Sequence, residues 1–350
     1  MTTTTMRPSS LRWWWLVGSL LVLVGAVLIG IAAGPASLSI SEIVGSIADR
    51  LPGVEIDTGL TERQEAILWQ LRMPRVALGV LVGAMLAGAG GAFQGVFRNP
   101  LADPYLLGVA AGAGLGATIA FAYGPNTSTW SIDPLPILAF VGGLTGVVLA
   151  YLLGYSVRVG RTAVTLILAG VAVAAFLTAA QTFIQQRQSQ TLREIYTWIL
   201  GRLTTVGWGE VMLLLPYVAA CCAVIVAGRR LLDVMAVGDE ESAALGIDPS
   251  KVRATIIVAA TLGTAAAVAV SGLIAFVGII VPHTVRLLTG ASYRIVLPLS
   301  LILGAAFLVL ADVLARTLVS PGELPIGVVT AFVGAPFFAV VLKTSRGVAA

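Results

Sequence analysis

The chain has 350 residues, of which 58% are hydrophobic and 11% charged, whereas a soluble domain carries roughly 25% charged residues. That composition excludes a soluble globular enzyme and describes a protein that crosses a membrane several times. A pI of about 9.3 does not mark a nucleic-acid binder, because the basic residues are scattered at the ends of apolar segments and form no patch.

A bilayer core takes about 20 mainly apolar residues per helix. Ten runs meet that need, near 13–33, 74–97, 105–123, 135–155, 162–184, 210–228, 254–271, 273–289, 295–315 and 325–342. The predicted fold class is an all-α polytopic membrane protein with ten transmembrane helices, as a single transmembrane domain over 1–350. The first run is too long for a signal-peptide core of about 7–15 residues, so it reads as a retained helix. With the N-terminus inside, most basic residues of the connections fall on the inner side, among them Arg98, Arg158, Arg161, Arg229, Arg230, Lys251 and Arg253. The positive-inside bias therefore predicts that both termini are cytoplasmic.

The outer connection 34–73 holds Glu42, Asp49, Glu55, Asp57, Glu62 and Glu65. Within it Ser39-x-x-Glu42 and Thr61-x-x-Gln64 are capping boxes, which predict two short amphipathic helices. Tryptophans 13 to 15, 69, 130, 198 and 208 fall where spans begin or end, as interfacial aromatics do. The second run ends in RNPLADP (98–104), an inner turn in which Pro100 and Pro104 end and restart helices and Arg98 obeys the inside bias. Small-residue stripes, Gly79, Gly83 and Gly90 and then Gly108, Gly112 and Gly116, predict close helix contacts.

In the fifth run Thr178, Gln181, Thr182 and Gln185 share one helix face. A polar face is unfavourable against lipid, so it predicts either a translocation path or hydrogen bonding to neighbouring helices. The inner connection 229–253 is the longest on its side and is the candidate coupling loop. Asp239, Glu240 and Glu241 favour a helix start, Ala243, Ala244 and Leu245 continue it, and Gly246 stops it. Asp248 then caps a second helix with Pro249 at its first position.

Catalytic chemistry is not encoded. No nucleophile stands with its base and no metal-ligand spacing occurs. The single histidine, His283, has no Asp, Glu or Cys within a turn and is expected as a helix-end cap or loop contact. Cys221 and Cys222 are adjacent packing residues. The P-loop pattern GxxxxGK[ST] is absent, so if ATP drives transport another subunit supplies the ATPase.

The stretch RMPR (72–75), then LAGAGGAFQGVFRNPLADPYLLGVAAGAG, LAGV (168–171), WILG (198–201), ALG (244–246) and the run from SGLIAFVGIIVPHTVRLLTG to ELPIGVVTAFVGAPFF resemble the FecCD family of ABC-transporter permeases. The resemblance runs from about Arg72 to Phe338. It implies import of a ferric siderophore, haem or cobalamin through a multi-pass protein of the cell (plasma or inner) membrane. It also implies a second copy or close paralogue, two cytoplasmic ATPase subunits that hold the ATP and Mg, and an extracytoplasmic solute-binding protein. No cofactor is expected in this chain, and membrane lipid surrounds it.

By the same resemblance Arg72, Arg75 and Arg316 receive carboxylates of the binding protein. Interfacial snorkelling or a local pair with Asp312 or Glu323 is the plainer alternative. Asp239, Glu240, Glu241, Ala244, Leu245 and Gly246 would meet the ATPase. Arg202 stands where the family often has a small hydroxyl residue; with Arg187 and Arg193 it marks either an anionic cargo or a partner contact. An ion-coupled secondary transporter is the rival class, but such carriers place ionisable residues near the bilayer midplane, and these spans are almost free of them.

Overall fold

The computed structural model describes residues 11–34, 38–50, 52–53, 59–124, 133–156, 163–204, 207–319 and 322–345. Glu55, Asp57, Trp130, Arg158 and Arg161 lie outside them. Among the described residues the chain is all-helical, and each of the ten apolar runs forms a helix. Seven are long and apolar enough to cross a membrane, while Val109–Tyr123, Val277–Thr289 and Ile326–Val341 are shorter.

In chain order, α1 (Trp13–Ala32) leads to two short helices, α2 (Ile40–Asp49) and α3 (Glu62–Ala66). Both begin as their capping boxes predict. Ser39 Oγ accepts from the Glu42 amide and Glu42 accepts from the Ser39 amide, and Thr61 and Gln64 repeat the exchange. The helical path then continues unbroken into α4 (Met73–Phe97), with a π turn at Ile67–Arg72. Pro74 lacks an N–H and its ring crowds the carbonyl four residues back, so a widened turn is where the helix can absorb it.

α4 is the centre of the bundle: every residue from Met85 to Phe97 is buried. α5 (Val109–Tyr123), α6 (Pro134–Ser156) and α7 (Ala163–Arg187) form one side, followed by the short α8 (Leu192–Ile199). α9 (Gly209–Ala227), α10 (Arg229–Met235), α11 (Asp239–Ala244), α12 (Pro249–Ser271), α13 (Val277–Thr289), α14 (Tyr293–Thr317) and α15 (Ile326–Ser345) complete the chain. Van der Waals packing must hold helices together in lipid, and small residues allow it. A methyl group on Gly83 would strike the Gly304 carbonyl of α14, so these backbones lie in direct contact.

Several boundaries differ from those read in the sequence. The apolar run 273–289 is not helical throughout, since Gly272 turns out of α12 at φ 69° and α13 begins only at Val277. The intervening backbone is satisfied by neighbours, as irregular chain at membrane depth requires. Tyr105 Oη donates to the Ile274 carbonyl (3.2 Å) and accepts from the Ile274 amide (3.3 Å), while the Arg202 amide donates to the Ser271 carbonyl at 2.7 Å. His283 caps no helix end. It lies inside α13 with its ring edge-on to Phe337, 5.9 Å between centroids. Cys221 and Cys222 are unpaired thiols, and Cys222 Sγ lies 3.9 Å from Met85 Sδ.

Candidate functional sites at the two ends of the bundle

At the end that carries α2 and α3, five ionised side chains meet. Arg75 donates from Nε and Nη2 to Asp312 at 2.9–3.1 Å. It also donates from Nη1 and Nη2 to Glu323 at 3.1 and 2.9 Å. Arg316, one turn beyond Asp312 on α14, places Nε 2.9 Å from Asp312 Oδ2. Its other nitrogens donate to the carbonyls of Ala33 and Gly30 at 3.0 and 2.9 Å. Arg72 donates to Ile31 and Ala32 at 2.9 and 3.1 Å.

The leftover carbonyls at the C-terminal end of α1 are thus held by two guanidinium groups, the arrangement that the negative end of a helix dipole favours. Arg75 and Arg316 share Asp312, and Arg75 also holds Glu323. The sequence reading brought Arg72, Arg75 and Arg316 together on one face, and the structure does bring them together, but with unequal access. Arg72 is 6% exposed and the Arg316 side chain 8%, whereas Glu323 is 45% exposed. A cavity of about 210 Å³ opens beside Arg75 and Glu323, and Arg202, Thr197 and Thr204 form its other wall. Arg202 therefore lies near Arg75. Arg187 lies over the Phe183 ring at 5.3 Å, and Arg193 is exposed on α8.

The opposite end carries RNPLADP and α11. Arg98 ends α4 in the left-handed region at φ 48°, ψ 36°, a conformation that costs an L residue about 1–2 kcal/mol and is usually given to glycine. Asn99 Oδ1 accepts from the Leu101 amide (2.9 Å), and Asp103 Oδ1 accepts from the Tyr105 amide (2.8 Å), with Pro104 starting the next turn. The motif is a built loop, and the Arg98 guanidinium leaves it to pair with Asp239, the first residue of α11.

Arg253 donates to both oxygens of the same carboxylate at 3.2 and 3.0 Å. This bond and the nearby Arg98 hold the Asp239 carboxyl below its ordinary pKa. Within α11, Ser242 is buried and its hydroxyl donates to the Val234 and Gly238 carbonyls. Glu240, Glu241, Ala244, Leu245 and Gly246 all face outward, with Leu245 69% exposed and Gly246 at φ 82°. Asp248 caps α12 as read, accepting from the Ser250 and Lys251 amides. A carboxylate not singled out in the sequence, Asp233 of α10, accepts from the Tyr293 amide and Ser292 hydroxyl at the start of α14.

The polar face of α7 divides. Thr178 and Thr182 are exposed, while Gln181 and Gln185 are buried, Gln181 against Gly114 of α5. Beyond α8 an apolar groove of about 580 Å³ runs between Leu200, Leu273, Ala331, Phe332 and Pro336.

With this geometry in view, comparison with known proteins places the chain. Residues 20–344 match the model of the FecCD transport family. The cobalamin import system permease protein BtuC of Halobacterium salinarum is 39% identical over 286 residues, 81% of this chain and 75% of that protein. The iron(3+)-hydroxamate import system permease protein FhuB of Bacillus subtilis is 37% identical over 286 residues, 82% of this chain and 73% of its own length. A solved structure described as an inward-facing metal-chelate type ABC transporter superposes with a TM-score of 0.82 at 29% identity, covering 95% of this chain and all of that one.

Proposed function

The chain belongs to the FecCD transport family, and we propose that it is the permease subunit of an ATP-driven importer for a ferric siderophore, working as a homodimer. The single observation that carries this reading is the family match over residues 20–344, which takes in α11, the α7 face and the arginine cluster alike. The whole chain acts as one permease domain with cytoplasmic termini, and ATP and Mg stay with two ATPase subunits on the α11 side.

α11 is suited to enter a groove of such an ATPase. Its inner face is fixed by Ser242 and Asp239, and its outer face presents Leu245 and a glycine turn. At the opposite end Arg75 and Glu323 are the reachable members of the docking face for the solute-binding protein, and Arg72 and Arg316 hold that face in place from inside. The two-copy path is supported by the exposed Thr178 and Thr182 and, separately, by the apolar groove along α15, whose Phe332 is 77% exposed. The exposed Arg187 and Arg193, with Arg202 beside the Arg75 cavity, favour either a cargo with negative charge or a partner contact.

Asp312, the carboxylate buried within a span, is held by two arginines, so the structure gives no support to a proton- or sodium-coupled carrier. Growth of a deletion strain on single iron sources tests the cargo. Loss of growth on a ferric siderophore, restored by this chain, is the expected result. Loss of cobalamin uptake alone contradicts the cargo assignment.

A further inference from the structure

The RNPLADP turn is left without a task by the transport reading. Arg98 is one of two non-glycine residues among those described that adopt a positive φ, the other being Phe276. A position that glycine would fill more easily keeps a long cationic side chain, and that side chain crosses to a carboxylate 141 residues away in sequence. Strained backbone conformations persist where the surrounding structure has a use for them.

Asp239 is the junction. Arg98 approaches it from the end of α4 and Arg253 from the first turns of α12, and Asp239 itself opens α11. The Ser242 hydroxyl bonds of α11 run only to Val234 and Gly238, just before it in the chain. Those bonds fix α11 to α10, whereas the ionic junction is the side-chain link that joins α11 directly to α4 and α12. α4 is suited to carry a displacement onward, because it is buried without interruption from Met85 to Phe97. Its other end carries Arg75 in the buried cluster with Asp312. Coupling between distant sites travels through packed, rigid elements of this kind.

We propose that Arg98 is a positioning residue that locks α11 to α4 through Asp239, so that movement of α11 is passed along α4 toward the Arg75 end. The proposal rests on the reading of α11 as the ATPase seat. It gives RNPLADP a link inside the permease, as distinct from a direct contact with the ATPase.

The test uses the full transporter in proteoliposomes and scores cargo moved per ATP hydrolysed. Arg98→Gly removes the side chain while suiting the left-handed backbone, so thermal stability, ATPase co-purification and basal hydrolysis stay near wild type. Cargo per ATP falls about tenfold. Arg98→Lys keeps most of the coupling. Arg98→Glu loses it, and adding Asp239→Arg together with Arg253→Glu, which reverses every charge of the junction, restores it. Loss of ATPase co-purification in Arg98→Gly, with no rescue by the charge swap, overturns the proposal in favour of direct contact. Wild-type coupling in Arg98→Gly together with loss in Gly246→Trp overturns the proposal alone. Wild-type coupling in both overturns it together with the reading of α11.

Discussion

Asp312 of α14 accepts three charge-assisted hydrogen bonds from Nε and Nη2 of Arg75 of α4, across 237 residues of sequence, with Oδ1 2.9 Å from Nη2. The carboxylate is 3% exposed and also lies 2.9 Å from Arg316 Nε, so it keeps two buried cations together near a third, Arg72. Removing one member of a buried pair leaves the other uncompensated and costs about 3–5 kcal/mol. Asp312→Ala is therefore expected to lower the thermal unfolding midpoint in detergent by several degrees. Glu323→Gln, at a half-exposed position, should cost no more than about 1 kcal/mol.

Arg75→Glu is expected to abolish uptake while the chain still inserts into the membrane, because it sets a third carboxylate beside Asp312 and Glu323, at a stability cost like that of Asp312→Ala, and repels a partner's carboxylate at the docking face. Binding of the solute-binding protein to the purified transporter at physiological salt checks this. Partial recovery with an arginine introduced on that protein is the confirming result, and wild-type affinity in Arg75→Glu contradicts it.

Gly246→Trp should uncouple hydrolysis from transport. The position needs a positive φ, and nothing lies within 4 Å of where a side chain would begin. A bulky residue therefore strains the turn and projects toward the ATPase without disturbing the permease interior. ATP hydrolysis and uptake measured on the same vesicles check it; normal uptake argues against this seat.

Cysteines at Thr178 and Thr182 are expected to react with aqueous thiol reagents in vesicles, while cysteines at Gln181 and Gln185 are protected. Equal protection of all four would place lipid or a neighbouring helix, and not an aqueous path, against α7.

Much of the scaffold was legible from local rules. Ser39, Thr61 and Asp248 cap the helices that their spacing predicts, since capping is settled within four residues. Hydropathy located every apolar run, but it could not see that Gly272–Phe276 is not helical, because an unwound segment is as apolar as the helix it interrupts. The positive-inside count put Arg72, Arg75 and Arg316 at one end without showing that two of them are occupied by carbonyls of α1. The α7 face was read as one polar stripe. Its division into exposed threonines and buried glutamines depends on α5, which packs against the glutamine side. The pairing of Arg98 with Asp239 left no local trace, apart from an arginine where a helix end would accept glycine.

Reconstitution decides the central claim most directly. The chain, its P-loop ATPase and its binding protein are placed in proteoliposomes, and uptake of a labelled ferric siderophore is followed with ATP and Mg²⁺ supplied on the ATPase side. The account predicts uptake that requires ATP, the ATPase and the binding protein together, and that is unaffected by collapsing proton and sodium gradients. Uptake driven by an ion gradient in the absence of the ATPase would contradict it.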